Sequence, residues 1–222
     1  TPLLLKENYQ VTVFDNLSFN QNSLLDCCSN KNFNFIKGDI CDYSLINKKL
    51  PEFDIVIMLA SIVGAPACDK NPLLTRAVNL DAQLNIINNL SNRQKILFPN
   101  TNSGYGIGIK DNFCTEESEL NPISYYGKLK VKVERILLEN GNAITYRLAT
   151  VFGMSPRMRM DLLVNDFVHK AVNDRSITLF EEHFRRNYIH VRDVAKAFIF
   201  GIKNFTKMKG SSYNVGLSTA NL

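Results

Sequence analysis

Two side chains set the chemistry that this sequence can do. Tyr126 and Lys130 stand in a Tyr-x-x-x-Lys pair, a spacing that puts both on one face of a helix. A free tyrosine has a pKa of about 10, too high for a base near neutrality. A cation beside it favours the phenolate and lowers that value. Upstream, the apolar run Lys95–Phe98 reads as a short strand ending in the polar cluster Asn100-Thr101-Asn102-Ser103. The Thr101 hydroxyl could bridge the phenol and a substrate oxygen. Such a trio can take a proton from a sugar or alcohol hydroxyl while hydride leaves the same carbon.

The elements that must position these residues follow from the pattern. Apolar, β-branched runs at Gln10–Phe14, Phe33–Lys37, Asp54–Leu59 and Ala143–Leu148 alternate with helical patterns at Tyr43–Leu50, Asn71–Asn89 and Asn121 onward. The near-continuous apolarity of Asp54–Leu59 marks a strand buried on both faces. Alternating strands and helices predict an α/β fold.

The chain has 222 residues, a formal charge of +5 and 45% hydrophobic residues, which suits a single globular domain or a domain and a half. No apolar run is long enough to span a bilayer, so no membrane partner is expected. Lys and Arg are dispersed rather than striped among aromatics, so no nucleic-acid partner is expected either. The five cysteines, Cys27, Cys28, Cys41, Cys68 and Cys114, make no C-x-x-C pair and read as free thiols in a reducing cytoplasm. The histidines lie away from them, and no metal site is expected.

At these residues the chain resembles the extended short-chain dehydrogenase/reductases, the NAD-dependent sugar-nucleotide epimerases and dehydratases. The carrying pieces are Val11-Thr-Val-Phe-Asp15-Asn16, Gly38-Asp39-Ile40, Leu59-Ala60, Thr101-Asn-Ser-Gly-Tyr105-Gly106, Tyr126-Gly-Lys-Leu-Lys130, Arg147 and Arg186-Asn-Tyr-Ile-His-Val-Arg-Asp193, in the family's order. The resemblance implies a Rossmann-like, doubly wound parallel sheet over residues 1–152 and a smaller substrate-binding region over 153–222. It implies NAD as cofactor, a nucleotide-sugar substrate and a homodimer.

Residue by residue, the resemblance assigns catalysis to Thr101, Tyr126 and Lys130. It places Asp15, Asn16, Asp39, Ile40, Leu59, Ala60 and Asn79 around the cofactor with Tyr126 and Lys130, Asp15 accepting from the ribose 2′-hydroxyl. Thr101, Asn102, Ser103 and Arg186 face the substrate, the guanidinium pairing with a diphosphate. An acid such as Asp15 should follow the glycine-rich loop by about 20 residues; counting back runs off the chain, so the first strand and its loop are expected to be wanting, and the C-terminus cut short. Gly104-Tyr-Gly106-Ile-Gly108 is not that loop, because no helix follows to supply amides; it reads as a flexible loop near the site. His190 reads as a packed histidine.

Within the family, the implied reaction is 4-epimerisation of a UDP-hexose. A 4,6-dehydratase would carry Asp-Glu after the threonine, where Asn102 and Ser103 stand. A 2-epimerase, a 4-ketoreductase and a catalytically inactive NAD-binding protein are the alternatives. The family's usual serine before the lysine is Leu129 here.

Overall fold

The computed structural model describes residues 1–107, 113–179 and 186–217. Every strand ladder in them is parallel. A short helix α1 (Pro2–Lys6) precedes β1 (Val11–Asp15), which pairs with β2 (Phe33–Lys37). The main sheet runs β3 (Ile55–Ile57), β4 (Lys95–Thr101), β5 (Ala143–Leu148) and β8 (Ser211–Val215), in that order. A small third ladder joins β6 (Thr150–Phe152) to β7 (Tyr188–His190). The described strands thus fall into three separate parallel sheets.

Helices cover both faces. Successive side chains of a strand point to opposite sides, and β4 shows the consequence. Its Ile96 and Phe98 pack with Ile46 of α2 (Tyr43–Lys49), Ile86 of α5 (Ala82–Asn89) and Val133 of α6 (Tyr125–Glu139). Its Leu97 packs the other way, with Phe198 and Ile202 of α8 (Val191–Lys203) and Phe205 of α9 (Phe205–Met208). This is the doubly wound, Rossmann-like arrangement, and burial on both faces is why the strands lack polar alternation.

The remaining helices are α3 (Ala65–Lys70), α4 (Pro72–Arg76) and α7 (Leu163–Asn173). The long helix expected over Asn71–Asn89 is interrupted: a π-turn at Ala77–Asp81 separates α4 from α5. One extra residue in a helical turn rotates the side chains beyond it, and such turns gather at functional sites.

Candidate active site

Parallel strands end on one side of a sheet, so β1, β2, β3 and β4 deliver Asp15, Gly38, Met58 and Thr101 onward to a common edge. Helix α6 brings Tyr126 and Lys130 to it. The helix starts where the Ser124 hydroxyl accepts from the Gly127 amide at 3.1 Å, a standard N-cap. Gly127 lets this turn lie close: a Cβ there would sit 3.1 Å from Pro122 Cβ. The inward stripe then runs Leu129, Lys130, Val131, Val133, Glu134 and Leu137. Leu129, where the family usually has serine, is part of the apolar core.

Lys130 is buried, its Nζ 3.8 Å from the centroid of the Phe98 ring. Burial draws its pKa down to about 7, and the Glu134 carboxylate opposes that pull. Tyr126 is half-buried, and burial pushes its pKa up to about 12; the Cys68 thiol adds to the rise and Arg159 works against it. Arg159, on the loop after β6, is thus a cation that favours the Tyr126 phenolate, beside Lys130, to which the spacing points. Arg159 is itself held by Asp161, Nε to Oδ1 at 2.7 Å and Nη2 to Oδ2 at 2.5 Å. On the same loop, Arg157 lies 3.2 Å above the ring of Phe19, beyond β1.

Thr101 sits at the very end of β4. Its hydroxyl donates to Ser103 Oγ and accepts from the Ser103 amide, both at 3.2 Å. Asn102 to Tyr105 form a 3₁₀ turn. Within it Gly104 is buried against Val131, and a Cβ at Gly106 (φ 71°) would meet Asn121 O at 2.1 Å. Only glycine fits there, so these residues form a packed turn rather than a flexible loop; Gly108 lies outside the described residues.

At the other end of the edge, Asp15 and Asp39 are exposed. Asp15 Oδ1 accepts from the Leu17 amide at 2.7 Å, and Asn16 Nδ2 donates to Asp39 Oδ2 at 3.2 Å. Backbone and Asn16 hydrogen bonds hold Asp39 below the usual carboxylate range. Ile40 is half-buried against the core. Leu59 is 68% exposed, and Ala60 beside it is exposed too. Acidic acceptors at one end, small and apolar surface in the middle and a cation with a phenol at the other suit a dinucleotide. Asp15 and Asp39 would hold its adenosine half, Leu59 and Ala60 would lie under it, and Lys130 would hold the far ribose.

Asn79 falls inside the π-turn and is buried. Its Oδ1 accepts from the Ile62 amide and from Ser61 Oγ, and its Nδ2 donates to Ile62 O, at 2.8, 2.9 and 2.8 Å. The amide thus braces the loop that follows Ala60. Arg186 is exposed just ahead of β7. The contacts among the described residues do not join Arg186 to the Thr101–Tyr126–Lys130 group. His190 caps α8, its Nδ1 accepting from the Arg192 amide at 3.2 Å, and stacks edge-on against Phe152.

One feature escaped the sequence. Glu134 accepts from Arg147 Nε and Nη2 at 3.0 and 2.8 Å and from Asn100 Nδ2 at 2.6 Å. Arg147 Nη1 donates to the Tyr105 hydroxyl and to Glu116 O, and Tyr105 donates to Asn214 Oδ1. This buried network ties α6, β4, β5 and β8 together behind the site. The available signal was Glu134 itself, an acid on the inward stripe of an amphipathic helix.

Among the described residues, no helix is long and apolar enough to cross a membrane, and no group of His, Cys, Asp and Glu is placed to hold a metal. All five cysteines are free.

Comparison with known proteins agrees with this geometry. The model of the NAD dependent epimerase/dehydratase family matches residues 1–216. The UDP-glucose 4-epimerase of Lactobacillus helveticus is 26% identical, over 96% of this chain and 71% of its own length. The dTDP-D-glucose 4,6-dehydratase of Dictyostelium discoideum is 25% identical, over 95% of this chain and 52% of its own. Among solved structures, a dTDP-glucose 4,6-dehydratase of Bacillus anthracis in complex with NAD superposes with a TM-score of 0.83 at 21% identity, over 98% of this chain and 71% of its own.

Proposed function

This chain belongs to the NAD-dependent epimerase/dehydratase family, and from that premise we propose that it serves a nucleotide-sugar epimerase. The substrate we propose is a UDP-hexose, inverted at C4 through a transient 4-keto sugar. The observation that carries the choice is the end of β4. Asn102 and Ser103 follow Thr101, and the Ser103 hydroxyl is tied to that of Thr101 at 3.2 Å. Loss of water across C5 and C6 needs an acid and a base there, and neither side chain can serve as one near neutrality.

In this reading Tyr126 takes the proton of the 4-hydroxyl, and Thr101 donates to that oxygen as it becomes a carbonyl. Lys130 holds the nicotinamide ribose, and its charge favours the Tyr126 phenolate once the ribose hydroxyl joins them. NAD, when bound, supplies hydride transfer to and from the sugar carbon. Asp15 selects it through the ribose 2′-hydroxyl and repels the extra phosphate of NADP. Arg186, with residues 153–222, is assigned to the diphosphate and sugar side. The same reading takes the protein to be a cytoplasmic homodimer; five free thiols suit a reducing compartment.

The test is turnover by the protein expressed from its complete gene. It is incubated with NAD and UDP-, dTDP-, GDP- and CDP-hexoses, and products are followed by mass and proton NMR. A product of unchanged mass with altered H4 couplings is expected. A product lighter by one water would make it a dehydratase. Inversion at C2 would move the chemistry along the ring.

A further inference from the structure

Glu134 lies two helical turns after Tyr126 and one after Lys130, so the three side chains share one stripe of α6. Its side chain is only 1% exposed. Oε1 is taken by both Arg147 donors, and Oε2 by Asn100 Nδ2 at 2.6 Å. Asn100 passes the contact on, its Oδ1 accepting from the Thr101 amide at 2.8 Å. Two hydrogen bonds therefore separate the Glu134 carboxylate from the backbone of Thr101, and one turn of helix separates it from Lys130.

We propose that Glu134 is a positioning residue for the reaction: its carboxylate fixes the end of β4 against α6, and its negative charge, one helical turn from the buried Lys130, favours the ammonium over the neutral amine. The proposal rests on the roles given above to Thr101 and Lys130.

A bland reading has Glu134 serving only to neutralise Arg147. The charge count argues for more. Glu134, Arg147 and Lys130 bring one negative and two positive charges into a dry region, and an uncompensated buried ammonium tends to shed its proton. The other groups around the site do not replace Glu134. On β4 the lysine meets Phe98, whose ring offers a quadrupole and no charge. On β5 Arg147 is a like charge. Cys68 of α3 and Arg159 act on Tyr126. Asp81, in the π-turn, pairs with Arg76 and acts on Cys41 and Tyr43. Tyr105 and Glu116 face Arg147 from its far side.

The test reads Lys130 directly. The protein is labelled with 13C at lysine Cε, the Lys130 signal is assigned by its loss in K130R, and its titration is followed without substrate. In E134Q the midpoint should fall by about one pH unit or more, since removing an adjacent buried charge favours the neutral amine. A purely structural role predicts the opposite sign, because a loosened, wetter site returns the lysine towards its ordinary value. An unmoved or raised midpoint overturns the proposal. Should E134Q fail to fold, E134D draws the charge back and should shift the midpoint the same way by less.

N100S separates the second half of the claim. It cuts the link to Thr101 and keeps the carboxylate, so the Lys130 midpoint should stay and kcat should fall with little change in KM for the sugar nucleotide. An unchanged kcat overturns the coupling to Thr101. Wild-type protein that turned over no sugar nucleotide would defeat the functional reading and leave the titration intact.

Discussion

The Lys130 ammonium rests on the face of the Phe98 ring, Nζ 3.8 Å from its centroid, in a pocket almost closed to water. The ring quadrupole makes good part of the lost hydration, and burial still draws the lysine from 10.5 down to about 7. This has a consequence for stability. Below about 7 the lysine is charged both folded and unfolded, and folding carries the full cost of burying the charge. Between that value and 10.5 the unfolded chain holds a proton that the folded chain has released, so stability rises with pH. Above both values the amine is neutral in either state and the cost is gone. Urea midpoints should therefore climb from pH 7 to 9 in the wild type, and K130M should flatten the climb and be the more stable protein at pH 6. An identical slope in K130M would show that the ammonium is hydrated after all.

Tyr126→Phe removes one oxygen from the site. Turnover should fall by about 10²- to 10⁴-fold, the usual worth of a positioned acid–base group. NAD binding should persist, because the other proposed contacts to the cofactor stay in place. Steady-state kinetics with calorimetric NAD titration checks both. Retained turnover would assign the proton transfer elsewhere.

Asp15→Asn tests the adenosine end. The Oδ1 contact to Leu17 can survive in the amide, so the turn should hold. What is lost is a charged acceptor, worth about 1.5–3 kcal/mol in a hydrogen bond. NAD should bind about tenfold more weakly or worse by that measure, and discrimination against NADP should narrow. Equal affinities for both cofactors in wild type and variant would remove Asp15 from the ribose.

Much of this architecture was legible in the sequence, and the reason is local. Ala143–Leu148 is a strand with the bounds that its apolar pattern predicts, and α6 begins at Tyr125, four residues after Asn121, where the helical pattern opens. Patterns of period two and 3.6 report burial within one element. The contacts that order the site are of another kind. Glu134 is 34 residues from Asn100, and Tyr105 is 109 from Asn214; no window of sequence contains both partners. Arg159 is illegible for the same reason, since it acts on Tyr126 from 33 residues away in sequence. The π-turn at Ala77–Asp81 leaves no mark on composition. Its interior is as apolar as the helix on either side, and only tertiary packing of Asn79 gives the extra residue a purpose.

That packing makes the last prediction. The Asn79 oxygen accepts from both the Ile62 amide and Ser61 Oγ, and the Nδ2 group donates to Ile62 O. Asn79→Ala would leave the Ile62 amide without this acceptor, and an unsatisfied buried group costs about 1–3 kcal/mol. The loop from Ala60 to Gly64 would lose its brace; Gly64 lies where a Cβ would be 4.0 Å from Arg159, a cation acting on Tyr126. Thermal stability should drop, and NAD affinity should drop with it because the surface at Ala60 is no longer held. Asn79→Asp keeps the acceptor and sets an oxygen against Ile62 O, and should be no better than alanine. A direct contact between Asn79 and the cofactor predicts a different pair of numbers: weakened NAD binding with the melting temperature of the wild type. Measuring both on Asn79→Ala separates a residue that touches the cofactor from one that shapes the loop beneath it.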